Sequence, residues 1–215
     1  MRRSTFTDHA VTYGAVGGTQ APDLMTYPPA GYRPIERRIR LGSGAERFRI
    51  ATGQLMTWGV QRRAGMSITD IEQDTGEQYS GVGYDHEGNP VEPADRHVVE
   101  QTYDDDGTPY IVNGITARLR VRVGIFRSTS RVRVVVVVDE EDRVGFAYGT
   151  MPGHPLSGEE SFVVEHLADN SVWLVLRAFS RPSSAWYGML SPLLRMLQHR
   201  IHTRYLRALL PARSA

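Results

Sequence analysis

The sequence predicts an α+β protein of helix-grip type: a curved antiparallel β-sheet of about six or seven strands wrapped around a long C-terminal helix. Three observations carry that expectation. Five β-type segments follow one another between Arg118 and Ser180 with only short turns between them. A strand and then a helix precede them, over about residues 32–63. The chain then closes on an amphipathic stretch whose apolar residues recur with helical period.

The first strand is expected over Tyr32–Leu41, where Ile35, Ile39 and Leu41 alternate with Glu36, Arg38 and Arg40. Arg37 interrupts the inward row. Ser43 and Glu46 stand three apart, the spacing of a capping box, and predict a helix start. Phe48, Ala51, Leu55 and Trp58 continue at helical spacing, which predicts one helix over about 44–63. Gly42 and Gly44 lack the third glycine of a dinucleotide loop.

Arg118, Arg120 and Arg122 alternate with Leu119, Val121, Val123 and Ile125, the pattern of a half-buried strand. Arg131–Val138 is almost all valine after Arg133 and is expected to be covered on both faces. Val144–Met151, Ser161–Leu167 and Val172–Ser180 complete an antiparallel meander. Ser191 and Pro192 open the last helix, where proline's missing amide costs nothing. Leu193, Leu194, Leu197, Ile201, Tyr205 and Leu209 make its apolar stripe, and Arg195, Arg200, Arg204 and Arg207 take much of the rest.

A chain of 215 residues is expected to form a single domain over 1–215. Glycine and proline punctuate residues 1–31, which reads as an extended arm; 66–113 reads as an acidic hairpin insertion, and 183–210 as the C-terminal helical segment. The apolar share of 40% and charged share of 23% exclude a disordered, collagen-like or coiled-coil chain. No unbroken apolar run is longer than Val134–Val138, far below the roughly 20 residues of a transmembrane helix. Arg2 and Arg3 are followed by polar residues rather than an apolar signal region, so a cytoplasmic protein is expected.

With no cysteine there is no disulfide, thiolate metal site or cysteine nucleophile. All 25 basic residues are arginine, which removes the Schiff-base, pyridoxal-phosphate and P-loop lysines together. The net charge of +1 conceals a separation. Residues 66–113 hold twelve acids and one arginine, a charge of −11, and the remainder carries +12. Arg177–Ala215 has seven arginines and no acid.

Several runs resemble a known family. They include Tyr13-Gly14-Ala15-Val16-Gly17, Leu41-Gly42-Ser43-Gly44, Tyr148-Gly149-Thr150-Met151-Pro152-Gly153-His154-Pro155, Gly158-Glu159-Glu160-Ser161-Phe162 and Ala178-Phe179-Ser180-Arg181-Pro182. In these the chain is similar to uncharacterised protein family 0548 of actinobacteria and plants, and a bacterial source is expected. The resemblance spans most of the chain except about 66–113, where this sequence reads as longer than the family's usual form. It implies a helix-grip-like fold and no particular reaction.

His154, on a rigid Pro-Gly-His-Pro turn, is the candidate acid–base group, with Tyr148 upstream and Glu160 just beyond. Trp58, Phe146, Tyr148, Phe162 and Phe179 are the candidates to line a ligand cavity between sheet and helix. His199 and His202 share a helix face, but neighbouring arginines repel a cation, so no metal site and no cofactor are expected. The expected partner is an apolar or aromatic small molecule, with no nucleic acid. Two alternatives stay open: an anionic membrane or nucleic-acid surface bound by the basic last helix, and an enzyme using His154.

Overall fold

The computed structural model describes residues 11–73, 83–84, 90–91, 107–123, 126–189 and 191–211. Strand β1 (Arg33–Ser43) alternates as its sequence demands: Ile35, Ile39 and Leu41 turn inward, while Glu36, Arg38 and Arg40 face solvent. Arg37 lies in the inward row and uses its charge there, donating from Nη1 to Thr203 Oγ1 at 3.3 Å.

The single helix expected over 44–63 is two. Helix α1 (Ala45–Met56) stops where Trp58 takes φ 62°, and α2 (Gly59–Arg63) starts afresh. A left-handed non-glycine residue costs about 1–2 kcal/mol. Full burial of the Trp58 indole against Phe146, with ring centroids 5.3 Å apart, offsets that strain. Gly59 is required at the break, because a Cβ there would sit 2.2 Å from the Gln54 carbonyl oxygen. The capping box does not form. Gly44 at φ 92° precedes α1 with no side-chain cap, Ser43 stays in β1 opposite Ser171, and Glu46 pairs with exposed Arg49 at 2.7 Å.

Strands β2 (Ser67–Gln73), β5 (Ile115–Val123), β6 (Phe126–Asp139), β7 (Arg143–Thr150), β8 (Leu156–His166) and β9 (Ser171–Pro182) join β1 in one antiparallel sheet. Among the described residues its seven strands run in the order β1-β9-β8-β7-β6-β5-β2. Strands β3 (Gly83–Tyr84) and β4 (Pro90–Val91) form a separate pair.

The valine run of β6 is covered less than expected. Val132, Val134 and Val138 are buried, but Val135, Val136 and Val137 are only half so. The inner face rests on the core, whereas among the described residues the outer face meets the N-terminal arm, which passes Val136 at Gly17. A bulge between Val134 and Val136 also shifts the alternation.

The acidic segment is not wholly an excursion. Its first residues are β2, and Asp70 and Glu72 pair with Arg118 (2.9 Å) and Arg131 (3.4 Å) on the neighbouring strands. Ile111 is 2% exposed and its amide donates to the Met56 carbonyl, so the segment's end is core as well. Within the expected hairpin insertion, the sequence has β-type residues at Tyr79–Tyr84 and Arg96–Tyr103; these lie outside the described residues, apart from Gly83–Tyr84.

Two helices close the chain, α3 (Ala185–Met189) and α4 (Ser191–Ala208). The α4 stripe turns to the sheet: Tyr205 is buried, as is Leu209 just past the helix end, and Leu193, Leu194, Leu197 and Ile201 are half-buried. Arg195, Arg200, Arg204 and Arg207 are exposed. A seven-stranded antiparallel sheet gripping its last helix is the helix-grip fold. Among the described residues no helix is long and apolar enough to cross a membrane.

Candidate functional site

Only Met151–Pro155 separate β7 from β8. The sequence pattern places the returning strand at Ser161 and Tyr148 beside residues 162–164. The strand in fact resumes at Leu156, which sets Tyr148 opposite Glu160 and Phe146 opposite Phe162. Paired residues share a face, so the Tyr148 and Glu160 side chains both point inward toward α4.

The two are joined directly. The Tyr148 hydroxyl donates to Glu160 Oε2 at 2.5 Å. From α4, His202 places Nε2 2.8 Å from the other carboxylate oxygen. Tyr205, one helical turn on, has its hydroxyl 3.4 Å from that of Tyr148, and it donates to Met66 Sδ, also at 3.4 Å. His202 and Tyr205 are each 2% exposed, so the cluster is sealed from bulk water on the helix side. Burial pushes the Tyr148 hydroxyl well above its ordinary range, and the nearby Glu160 charge adds to the shift. Tyr205 is raised for the same two reasons.

This cluster borders a partly open cavity of about 500 Å³ between the inner face of the sheet and α4. Leu119, Val121, Leu193, Leu197 and Ile201 make its walls largely apolar. His154 is also on the wall. Its Nδ1 is committed to the backbone of its own turn: the Leu156 amide donates to it at 3.0 Å, and the Leu156 carbonyl lies 2.9 Å away. Burial holds the His154 imidazole below its usual value, against opposing contributions from Leu156 and Glu160.

Tyr148, His154 and Glu160 thus meet along one cavity, but the histidine bonded to Glu160 is His202 rather than His154. Of the expected aromatic lining, only Tyr148 offers its ring to the cavity. Trp58, Phe146 and Phe162 are fully buried beneath it: Phe146 and Phe162 pair farther along β7 and β8, which α1 covers, and Trp58 reaches Phe146 from the break between α1 and α2. Phe179 points to the opposite face. Its ring packs edge-on against Tyr13 and Tyr32 under the N-terminal arm, so it borders the cavity through its strand only.

His202 and Tyr205 are the residues that sequence reasoning missed as a site. The signal was present: a lone histidine inside an apolar helical stripe needs a polar partner on the facing sheet. The spacing to His199 pointed instead to a shared face. The structure separates them, His199 exposed and His202 buried.

Comparison with known proteins places the chain. A family model described as a domain of unknown function, DUF1990, matches residues 12–89 and 94–208. The chain belongs to this family. The matched residues include the acidic segment apart from 90–93.

A UPF0548 protein of Deinococcus radiodurans is 44% identical over 80 residues, 37% of this chain, and the chain spans 40% of that relative's length. Among solved structures, the Zhui aromatase/cyclase of Streptomyces sp. R1128 is similar in fold, with TM-score 0.50 and 14% identity over 83% of this chain and 91% of that one. A truncated norcoclaurine synthase from Thalictrum flavum aligns with TM-score 0.47 and 9% identity over 85% and 96% of the two chains.

Proposed function

We propose that this DUF1990 protein binds a small molecule in the cavity between sheet and α4, with its apolar or aromatic body against the leucine walls and one hydrogen-bonding group at the Tyr148–Glu160–His202 cluster. One observation carries the reading: a carboxylate with two side-chain partners faces a cavity of about 500 Å³ whose walls are otherwise mostly apolar. Ligand sites are concave and apolar, with a few convergent polar groups, and fall in this size range. His154, with Nδ1 engaged in its turn, orients its second nitrogen for the same ligand. The apolar stripe of α4 faces the sheet, which favours this reading over docking of that helix on an anionic surface.

The test is titration with the neutral fluorophore N-phenyl-1-naphthylamine. The wild-type protein binds it, and Leu197→Trp, which fills the cavity from α4, abolishes binding with the circular dichroism unchanged. Equal binding by a folded Leu197→Trp protein overturns the proposal.

A further inference from the structure

The Tyr205 hydroxyl is poorly satisfied where it stands. Its hydrogen goes to Met66 Sδ at 3.4 Å, and a thioether sulfur is a weak acceptor. The Tyr148 oxygen, also 3.4 Å away, lies beyond the about 2.5–3.0 Å of a good hydroxyl–oxygen bond. Burial, with the Glu160 charge as second cause, holds the Tyr205 hydroxyl well above its ordinary range, so it keeps its proton and remains a donor. Tyr205, Met66 and Tyr148 all line the cavity of about 500 Å³.

Donor and acceptor differ in stiffness. The Tyr205 ring meets Phe162 edge-on, with centroids 5.0 Å apart, and stacks on His202 at 6.2 Å. Those contacts fix the position of the hydroxyl oxygen. Met66, just before β2, is unbranched and has three rotatable side-chain bonds, so it withdraws its sulfur at little cost. A buried O–H gains when a sulfur is exchanged for an oxygen acceptor. Glu160 offers no comparable exchange. Its oxygens already meet the Tyr148 hydroxyl at 2.5 Å and His202 at 2.8 Å, and a donor on the ligand would have to replace one of these strong bonds. This end of the cavity therefore suits an acceptor better than a donor.

The Glu160 carboxylate also disfavours an acceptor that carries negative charge. Arg127 is the one arginine among the described lining residues. It stands seven residues along β6 from Val134, the partner of Tyr148, which is about 23 Å of strand. An uncharged oxygen on an apolar body meets both the donor and the apolar walls.

We propose that Tyr205 is a specificity-determining donor, which takes the carbonyl oxygen of an uncharged ligand in exchange for the Met66 sulfur. This ligand class, an apolar or aromatic ketone, aldehyde or ester, rests on the small-molecule reading of the cavity given above. The probes are 2-acetylnaphthalene, 2-ethylnaphthalene and 2-naphthoate, each displacing N-phenyl-1-naphthylamine in neutral buffer. The ketone and the hydrocarbon share a shape and differ in one oxygen, so the ratio of their displacement constants isolates the hydrogen bond. Tyr205→Phe should shift that ratio about three- to tenfold toward the hydrocarbon. Met66→Leu, of similar volume, removes the competing sulfur and should shift it toward the ketone. 2-Naphthoate should displace the fluorophore more weakly than the ketone does.

An unchanged ratio in folded Tyr205→Phe overturns the proposal. So does a Met66→Leu ratio that fails to move toward the ketone, a result that decides alone if Tyr205→Phe does not fold. Naphthoate that displaces as well as the ketone overturns it too. In these three cases the fluorophore still binds and the cavity reading stands. A wild-type protein that binds no fluorophore, or from which neither neutral naphthalene displaces it, overturns both.

Discussion

Tyr148 and Glu160 face each other across the β7–β8 ladder, and the tyrosine hydroxyl donates to the carboxylate that His202 meets from the other side. One residue pair thereby ties the middle of the sheet to the gripping helix. It also puts the cavity's most polar groups where sheet and helix approach each other.

Tyr148→Phe removes that donor and leaves a half-buried carboxylate one partner short. It should cost about 1–3 kcal/mol of stability, read from the urea midpoint. In Glu160→Gln the remaining Tyr148 hydroxyl should ionise at lower pH than in the wild type, since a neighbouring negative charge disfavours the phenolate. It should still ionise above the ordinary tyrosine range, because burial is the larger cause. Difference titration of tyrosinate absorbance checks both directions. An unmoved or rising tyrosinate transition contradicts the assigned pair.

On the outer face, Glu159 is 2% exposed and accepts hydrogen bonds from the Tyr13 hydroxyl, the Gly17 and Thr19 amides and the Thr19 hydroxyl, at 2.6–2.9 Å. A buried carboxylate needs such partners, and they in turn need it. Glu159→Ala should cost about 2–4 kcal/mol and make residues 11–24 cleavable by protease in the folded protein. An intact arm in the variant would show that Tyr13, Leu24 and Phe179 hold it unaided.

His154 ionises less readily in the folded chain than its ordinary value of 6.5. Below that pH the unfolded chain binds a proton that the folded chain resists, so stability falls as the solution is acidified. The contribution is fully present above pH 6.5 and is lost as pH drops toward the depressed folded value. His154→Asn should therefore show a flatter dependence of unfolding free energy between about pH 7 and pH 5 than the wild type. Parallel curves for the two proteins would show that the His154 environment carries no such linkage.

Leu209 is fully buried, whereas Leu197 stands half-buried on the cavity wall. Leu209→Ala should cost about 2–5 kcal/mol, and Leu197→Ala clearly less, because Leu197 faces the cavity and has packing partners on one side only. Chemical denaturation of the two variants side by side reads the difference. A larger loss at position 197 would mean that the cavity is closed and dry.

The periodicities account for what was legible. Alternating valine and arginine, the Ser191-Pro192 start and the α4 stripe all describe local chain geometry, and all reappear in the structure. The failures depend on contacts made at a distance. Trp58 breaks the predicted helix because Phe146, far along the chain, receives its ring. The capping box loses to the pairing of Ser43 with Ser171. The site was half legible for the same reason. Tyr148, His154 and Glu160 are neighbours in sequence, but the partner that completes the cluster, His202, arrives from a helix whose rotation about its axis no local pattern states.

Among the described residues β1 and β2 are the two flanks of the sheet, and they differ in electrical sign. β1 carries four arginines against one glutamate, while β2 carries Asp70 and Glu72 and no base. Two molecules approaching flank to flank repel when like meets like. When unlike flanks meet they attract, but neither presents an unbroken ladder of donors and acceptors. Pro34 lacks an amide hydrogen, β1 is irregular between Arg40 and Gly42, and Asp70 at φ 51° interrupts β2 between Thr69 and Glu72. A valine-rich sheet of this length is the raw material of a fibre. Irregular backbone and charge make both described margins a poor template for a further strand.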